Sequence, residues 1–319
     1  MSRTEERFEC RACEEVNARI RADAVAFVEE EEARYRANVE QVAQTLASRV
    51  QGCCPVLLCG PSSVGKTTTA RRLCAALERQ GVASVVVSLD DFYRGLGHAP
   101  RLPDGRHDYE SPEALDLARL HRCVGELMRT GQTRLPIYDF QAGRPSDRTR
   151  SLVTAGDTAV IFEGVHAFTP SVTETVSMGR EVPRVFVNTG SRFLCGDETV
   201  LLRRDVRLAR RLLRDERTRA SSFHHTMTMW DQVLYGTETY ILPYVEGRDL
   251  TVDTTLGYEP SVMAAPLLAR LSALDGTPYE AVGQRLCRAF RRFEPLPLSI
   301  VPPTSVLTEF LGNCDFSCV

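Results

Sequence analysis

Gly60-Pro-Ser-Ser-Val-Gly-Lys-Thr67 is the stretch on which the fold of this 319-residue chain turns. Of the 39 basic residues, Lys66 alone is a lysine; every other one is arginine. Lysine is a compact point charge on a flexible stem, which suits a phosphate held inside a tight backbone loop better than a planar guanidinium does. The pattern G-x-x-x-x-G-K-[ST] is the P-loop. Its backbone N–H groups cradle phosphates, its lysine reaches the outer ones, and the hydroxyl that follows takes Mg²⁺. Gly60, Ser62, Ser63, Gly65, Lys66, Thr67 and Thr68 are accordingly expected to hold a nucleoside triphosphate, with Thr67 on the metal.

The residues on either side have the order this motif requires. Val56-Leu-Leu-Cys59 is short and wholly apolar, as a strand buried on both faces of a parallel sheet must be. Lys66 to about Gln80 reads as the following helix, stopped by Gly81. Ser84-Val-Val-Val-Ser-Leu89 reads as a second strand that ends in Asp90-Asp91-Phe92-Tyr93. Carboxylates at the C-terminal end of a parallel strand lie on the edge where such sheets bind ligands. Arg94 to Ser111 is rich in Gly, Pro and charge and reads as a long loop over that edge. Pro112 to about Thr130 returns to helical periodicity, and Leu135 to Phe140 with its Gly/Arg/Pro turn reads as an irregular or ribbon insertion. Ala159-Val-Ile-Phe162 is a further buried strand whose end, Glu163, is positioned as a second carboxylate on the Mg²⁺ side. Arg184 to Asn188 and Leu250 to Asp253 complete the strands. The expected fold is a three-layer α/β P-loop NTPase fold with a mainly parallel sheet.

Ahead of this lies a helical pattern from residue 3 to about 50, with Val16, Ile20, Phe27, Tyr35, Val39, Val42 and Leu46 on one face. The expected division is an N-terminal helical arm (1–52), a kinase domain (53–275) with a helical lid near 200–240, and a C-terminal helix and tail (276–319). The arm is a candidate dimer contact, although packing on its own domain fits equally well. Leu201 to Arg219 is a helix with eight arginines against Asp205, Asp215 and Glu216, an imbalance that points to polyphosphate.

The totals set limits. A net charge of −3 argues against general nucleic-acid binding, and no apolar run approaches the ~18 residues of a membrane span. Eleven cysteines with no apolar leader after Met1 read as free thiols in a reducing, cytoplasmic setting. Cys10-Arg-Ala-Cys13 has metal-type spacing but no second pair at zinc-ribbon distance, and Cys314 and Cys318 lie in the tail.

The P-loop alone does not name a reaction. Transfer to a small alcohol needs a carboxylate at the acceptor hydroxyl, the place Asp90 fits. A guanine-reading N-K-x-D motif is excluded because no second lysine exists. The ordered set GPSSVGKTT, SLDDFY, YESPEALD, PIYDF, VIFEGVHAF and RLARRLLRDERTR, spanning about 50 to 260, resembles the uridine kinase/phosphoribulokinase family. It is closest to the uridine kinase-like nucleoside kinases of bacteria and protists, and Ser305 to Gly312 is similar to that group's C-terminal end.

The resemblance implies ATP and Mg²⁺ as cofactors and a nucleoside 5′-hydroxyl as acceptor. It makes Asp90 the catalytic base, with Lys66, Arg210 and Arg214 on the transferred phosphate and Thr67 and Glu163 on the metal. Glu110 falls on the ribose hydroxyls, with Tyr93, Tyr138 and Arg207 near the nucleoside. Asp91 competes with Asp90 as base, while His166 reads as a packing or hydrogen-bonding residue. Two places depart from the family. Gly143 stands where uridine kinases carry a histidine facing the base, and Trp230 to Thr239 lacks two arginines and a lysine of the related stretch. A sugar phosphate or pantothenate-like acceptor, or a weakened ATP-binding regulatory protein, remain alternatives.

Overall fold

The computed structural model describes residues 9–102, 105–140, 142–246 and 248–312. Residues 3–8 of the predicted arm, and Cys314 and Cys318, lie outside the described residues.

The centre is a five-stranded, wholly parallel sheet of β2 (Cys53–Cys59), β3 (Ala83–Ser88), β6 (Thr158–Glu163), β7 (Arg184–Asn188) and β10 (Leu250–Asp253). Its order is β10-β7-β2-β6-β3, which puts the P-loop strand in the middle. Alternation along β2 feeds two cores. Val56 and Leu58 point to one side, with Ile161, Val185 and Val187, while Leu57 and Cys59 point to the other, with Val160, Phe162 and Phe186. The first side is covered by α1 (Cys13–Ala47) and α2 (Lys66–Arg79). The second is covered by α3 (Leu117–Thr130) and α4 (Pro170–Ser177), the latter a short helix with no counterpart in the sequence reading.

The seven apolar residues expected on one face of α1 are all buried. The helix is broken once, at Asp23 (φ −161°, ψ 95°), whose carboxylate accepts from the Ala26 N–H at 2.9 Å and restarts the turn. Tyr35 of α1, 1% exposed, shares a hydrogen bond of 3.0 Å with the Thr69 hydroxyl of α2. The arm therefore packs directly under the P-loop helix. Its first described residues form β1 (Glu9–Ala12) rather than helix, pairing with β8 (Ser191–Cys195), which in turn pairs with β9 (Glu198–Leu201).

The insertion after α3 is an antiparallel ribbon, β4 (Gln132–Asp139) and β5 (Arg144–Val153). Beyond β9 come α5 (Arg203–Arg219), α6 (Phe223–Gly236) running into one π-helical turn (Thr237–Ile241), α7 (Glu259–Leu268), α8 (Glu280–Phe290) and the single turn α9 (Thr308–Leu311). Ten consecutive positions of α5 from Asp205 include nine that are buried. Residues expected as a lid are thus, in this structure, packed into the first core with Phe223, Met227, Trp230 and Val233 of α6. No helix among the described residues is long and apolar enough to cross a membrane.

Candidate active site

The order β2-β6-β3 brings three strand ends side by side: the P-loop after β2, Glu163 closing β6, and Asp90 two residues beyond β3. The register pairs Glu163 with both Leu58 and Ser88. Gly65 enters α2 at φ +86°, a left-handed conformation that only glycine adopts freely. A methyl group there would also meet Val306 Cγ2 at 2.4 Å. Lys66 Nζ donates to the Pro61 carbonyl at 3.1 Å, arching over its own loop.

Glu163 is 4% exposed. Its Oε1 accepts from the Thr67 hydroxyl at 3.4 Å and the Ser88 hydroxyl at 3.3 Å, while Oε2 is buried with no partner among the described residues. Burial pushes this carboxyl up to about 7 against the opposing pull of Lys66, with Asp90 and Glu309 pushing the same way as burial. An acid with one idle oxygen beside a hydroxyl fits Mg²⁺, which takes few protein ligands and leaves the rest to phosphate and water. Ser63 Oγ is likewise buried without a partner among the described residues. Burial also raises Asp90, opposed by Lys66. The neighbouring Asp91 is already committed, accepting from the Tyr138 N–H at 3.1 Å and so tying the ribbon to the end of β3.

Ser63, Lys66, Asp90 and Glu163 line a cleft of about 450 Å³ together with Ser62, Gly65, Thr67, Thr68, Arg214, Arg217, Arg219 and Glu309. The arginine helix divides in two over it. Arg210, expected on the transferred phosphate, is instead wholly buried on the far side. Its guanidinium pairs with Glu259 (2.8 and 3.1 Å) and with the Thr254 hydroxyl and carbonyl (3.1 and 2.8 Å), and lies 5.0 Å from the Phe310 ring centre. One residue further on, Arg211 donates to the Ser62 hydroxyl at 2.9 Å on the P-loop. Arg207 donates to the Ser62 carbonyl (3.0 Å) and to Thr237 (3.1 Å), with its guanidinium over Trp230. Asp215, 3% exposed, gathers Arg211, Arg214 and Arg219 at 3.3, 2.8 and 3.7 Å. Sequence periodicity counted the arginines but could not show which faced the sheet edge. Asp215 and Arg211 were missed for that reason.

On the acceptor side, the Tyr93 ring packs edge-on against Tyr138 (5.9 Å) and His166 (6.5 Å), and His166 packs against Tyr240 (6.4 Å). Burial raises Tyr93 well above an ordinary phenol, with Asp90 and Glu110 adding to it. Burial likewise raises Glu110, which lies against Gly236 of α6 so closely that a Cβ there would fall 2.5 Å from Glu110 Cβ. The Tyr240 hydroxyl donates to Asp108 at 2.7 Å. His166 is 2% exposed with neither ring nitrogen partnered among the described residues, and burial, with Lys66 acting the same way, lowers it to about 3, so the ring is neutral. Of the departing positions on α6, Leu234 packs on the first core and Tyr235 is exposed.

A model described as the Phosphoribulokinase / Uridine kinase family matches residues 56–190. Uridine-cytidine kinase B of Dictyostelium discoideum is 28% identical over 196 residues, 60% of this chain and 71% of that protein. Uridine/cytidine kinase UKL1, chloroplastic, of Arabidopsis thaliana is 29% identical over 196 residues, 60% of this chain but 36% of that longer one. A solved structure titled "a Possible Uridine Kinase from Bacillus stearothermophilus" superimposes with a TM-score of 0.45 at 18% identity, over 70% of this chain and 100% of that one.

Proposed function

We propose, from the premise that residues 56–190 place this chain in the phosphoribulokinase/uridine kinase family of P-loop kinases, that it phosphorylates the 5′-hydroxyl of a nucleoside. The observation that carries the reading is the meeting of Lys66, Glu163 and Asp90 in one cleft, with Glu163 Oε2 left idle. The curated relatives named as uridine and cytidine kinases support the choice of acceptor.

ATP would supply the phosphoryl group, with Mg²⁺ held between Thr67 and Glu163 to offset phosphate charge. Lys66 and the P-loop N–H groups hold the outer phosphates. Arg214 and Arg219, kept in place by Asp215, face the same phosphates. Asp90 takes the proton from the acceptor oxygen as that oxygen attacks. Its raised affinity for a proton suits a base better than an ordinary exposed aspartate would. Tyr93, Glu110 and Tyr138 contact the nucleoside. The neutral His166 ring packs between Tyr93 and Tyr240 behind this acceptor side. The N-terminal arm, buried against its own P-loop helix, has no part in this scheme beyond support.

A panel of ribonucleosides, deoxyribonucleosides, sugar phosphates and pantothenate, each with Mg·ATP and read by product mass, tests the reading. A nucleoside 5′-monophosphate is expected. Phosphorylation confined to a sugar phosphate or pantothenate would overturn the acceptor. ATP binding with no product from any of them would favour a regulatory protein instead.

A further inference from the structure

The start of α2 already holds an anion, and it belongs to the chain itself. Glu309 Oε2 accepts from the Thr68 backbone N–H at 3.3 Å and from the Thr68 hydroxyl at 2.8 Å. Thr68 is the third residue of the helix, so its N–H is one of the donors that have no acceptor within the helix. Such donors, at the positive end of the helix dipole, are what a P-loop turns toward phosphate. The carboxylate thus sits on donors that a bound triphosphate needs.

Its placement is built, not incidental. Glu309 lies in α9, on a segment whose Val306, Leu307 and Phe310 are completely buried. Val306 presses on Gly65, and Phe310 lies against the Arg210 guanidinium. Ser305 lies 3.3 Å from the Tyr258 hydroxyl, which donates to Glu32 of α1 at 2.6 Å. Arg217, itself lining the cleft, donates to the Glu309 carbonyl at 3.0 Å. The backbone of the segment is therefore fixed in the core while the Glu309 side chain alone extends into the cleft. It can leave Thr68 by rotating about its own bonds, with no unfolding of the segment.

We propose that Glu309 is a resident competitor for phosphate at Thr68, weakening nucleotide binding and hastening the departure of the spent nucleotide. The inference rests on the reading of the Lys66 cleft as a triphosphate site. A charge-assisted bond to a carboxylate contributes enough that its prior removal should tighten binding by about ten-fold or more. Proximity to Glu163 adds to this, because a second carboxylate in the cleft repels the charge that nucleotide brings.

The test is equilibrium binding of mant-ATP and mant-ADP, each with MgCl₂, to the full chain and to Glu309→Gln and Glu309→Ala. Thermal melting checks that both variants fold, and the isosteric glutamine answers the question should the alanine variant not fold. Both nucleotides are expected to bind about ten-fold more tightly to the variants, with slower release of mant-ADP in stopped flow. Equal affinity in all three proteins would remove the competitor role while leaving the triphosphate site intact. Weaker binding by the variants would make Glu309 part of the grip on nucleotide, which is the opposite role. Binding to none of the proteins would overturn the triphosphate site and this inference together.

Discussion

Glu163 holds its proton to about pH 7, far above an exposed glutamate, because the strand end that positions it also strips it of water. Between the ordinary value of 4.5 and about 7, the folded chain binds a proton that the unfolded chain has lost. The stabilisation from this group is therefore fully present below 4.5 and lost as pH rises through 7. Glu163→Gln should raise the melting temperature more at pH 8 than at pH 5 while abolishing metal-dependent turnover; an equal gain at both pH values would contradict the assignment. Arg210 is a different case. Its charge is matched by Glu259 inside the core, so Arg210→Ala leaves a buried carboxylate alone and should cost about 3–5 kcal/mol by denaturant unfolding. Arg214→Ala should cost less stability than that, since Asp215 keeps Arg211 and Arg219, and should lower turnover because Arg214 faces the cleft. If the two variants exchanged these phenotypes, the division of the helix would be wrong.

At the scale of elements, the arginine helix and α6 show where sequence patterns stop. Eight arginines in seventeen residues of α5 gave an expectation of phosphate contact, and Arg214, Arg217 and Arg219 line the cleft with the P-loop. They could not give the partners of Arg207, Arg210 and Arg211, because Ser62, Thr237, Thr254 and Glu259 come from elsewhere in the chain. Strands with apolar runs were legible, Arg184–Asn188 and Leu250–Asp253 to the residue and the other three of the central sheet to within one to three residues at their ends. The hairpin β8–β9 was not, because its burial alternates weakly over five and four residues, and α4 is a helix of eight. Gly236 was equally silent in the sequence, yet it lets α6 approach Glu110. Gly236→Ala should force the two apart, costing about 1–3 kcal/mol of stability and raising the KM for the acceptor more than that for ATP. An unchanged acceptor KM would place Glu110 outside the nucleoside contact.

For the whole molecule, the sheet order accounts for the site. One apolar core runs from Cys13 of α1 through β2 to Phe310 of α9, so arm, central domain and tail share a single interior. Their sequence-drawn boundaries at 52 and 275 mark changes of pattern. The three chemical groups of the cleft come from three neighbouring strand ends of that interior, and the P-loop, Asp90 and Glu163 were each legible because a short apolar run led into a polar residue. Glu309 was not, since 219 residues separate it from Asp90 along the chain and only the packed tail joins them. The central claim is that Asp90 serves as base for transfer from ATP to a nucleoside. It is tested most directly by comparing Asp90→Asn with the unaltered protein for nucleoside 5′-monophosphate formation and for mant-ATP binding. The account predicts turnover lower by about 10² to 10⁴-fold with nucleotide affinity retained. Turnover within a few-fold of the unaltered protein would contradict it.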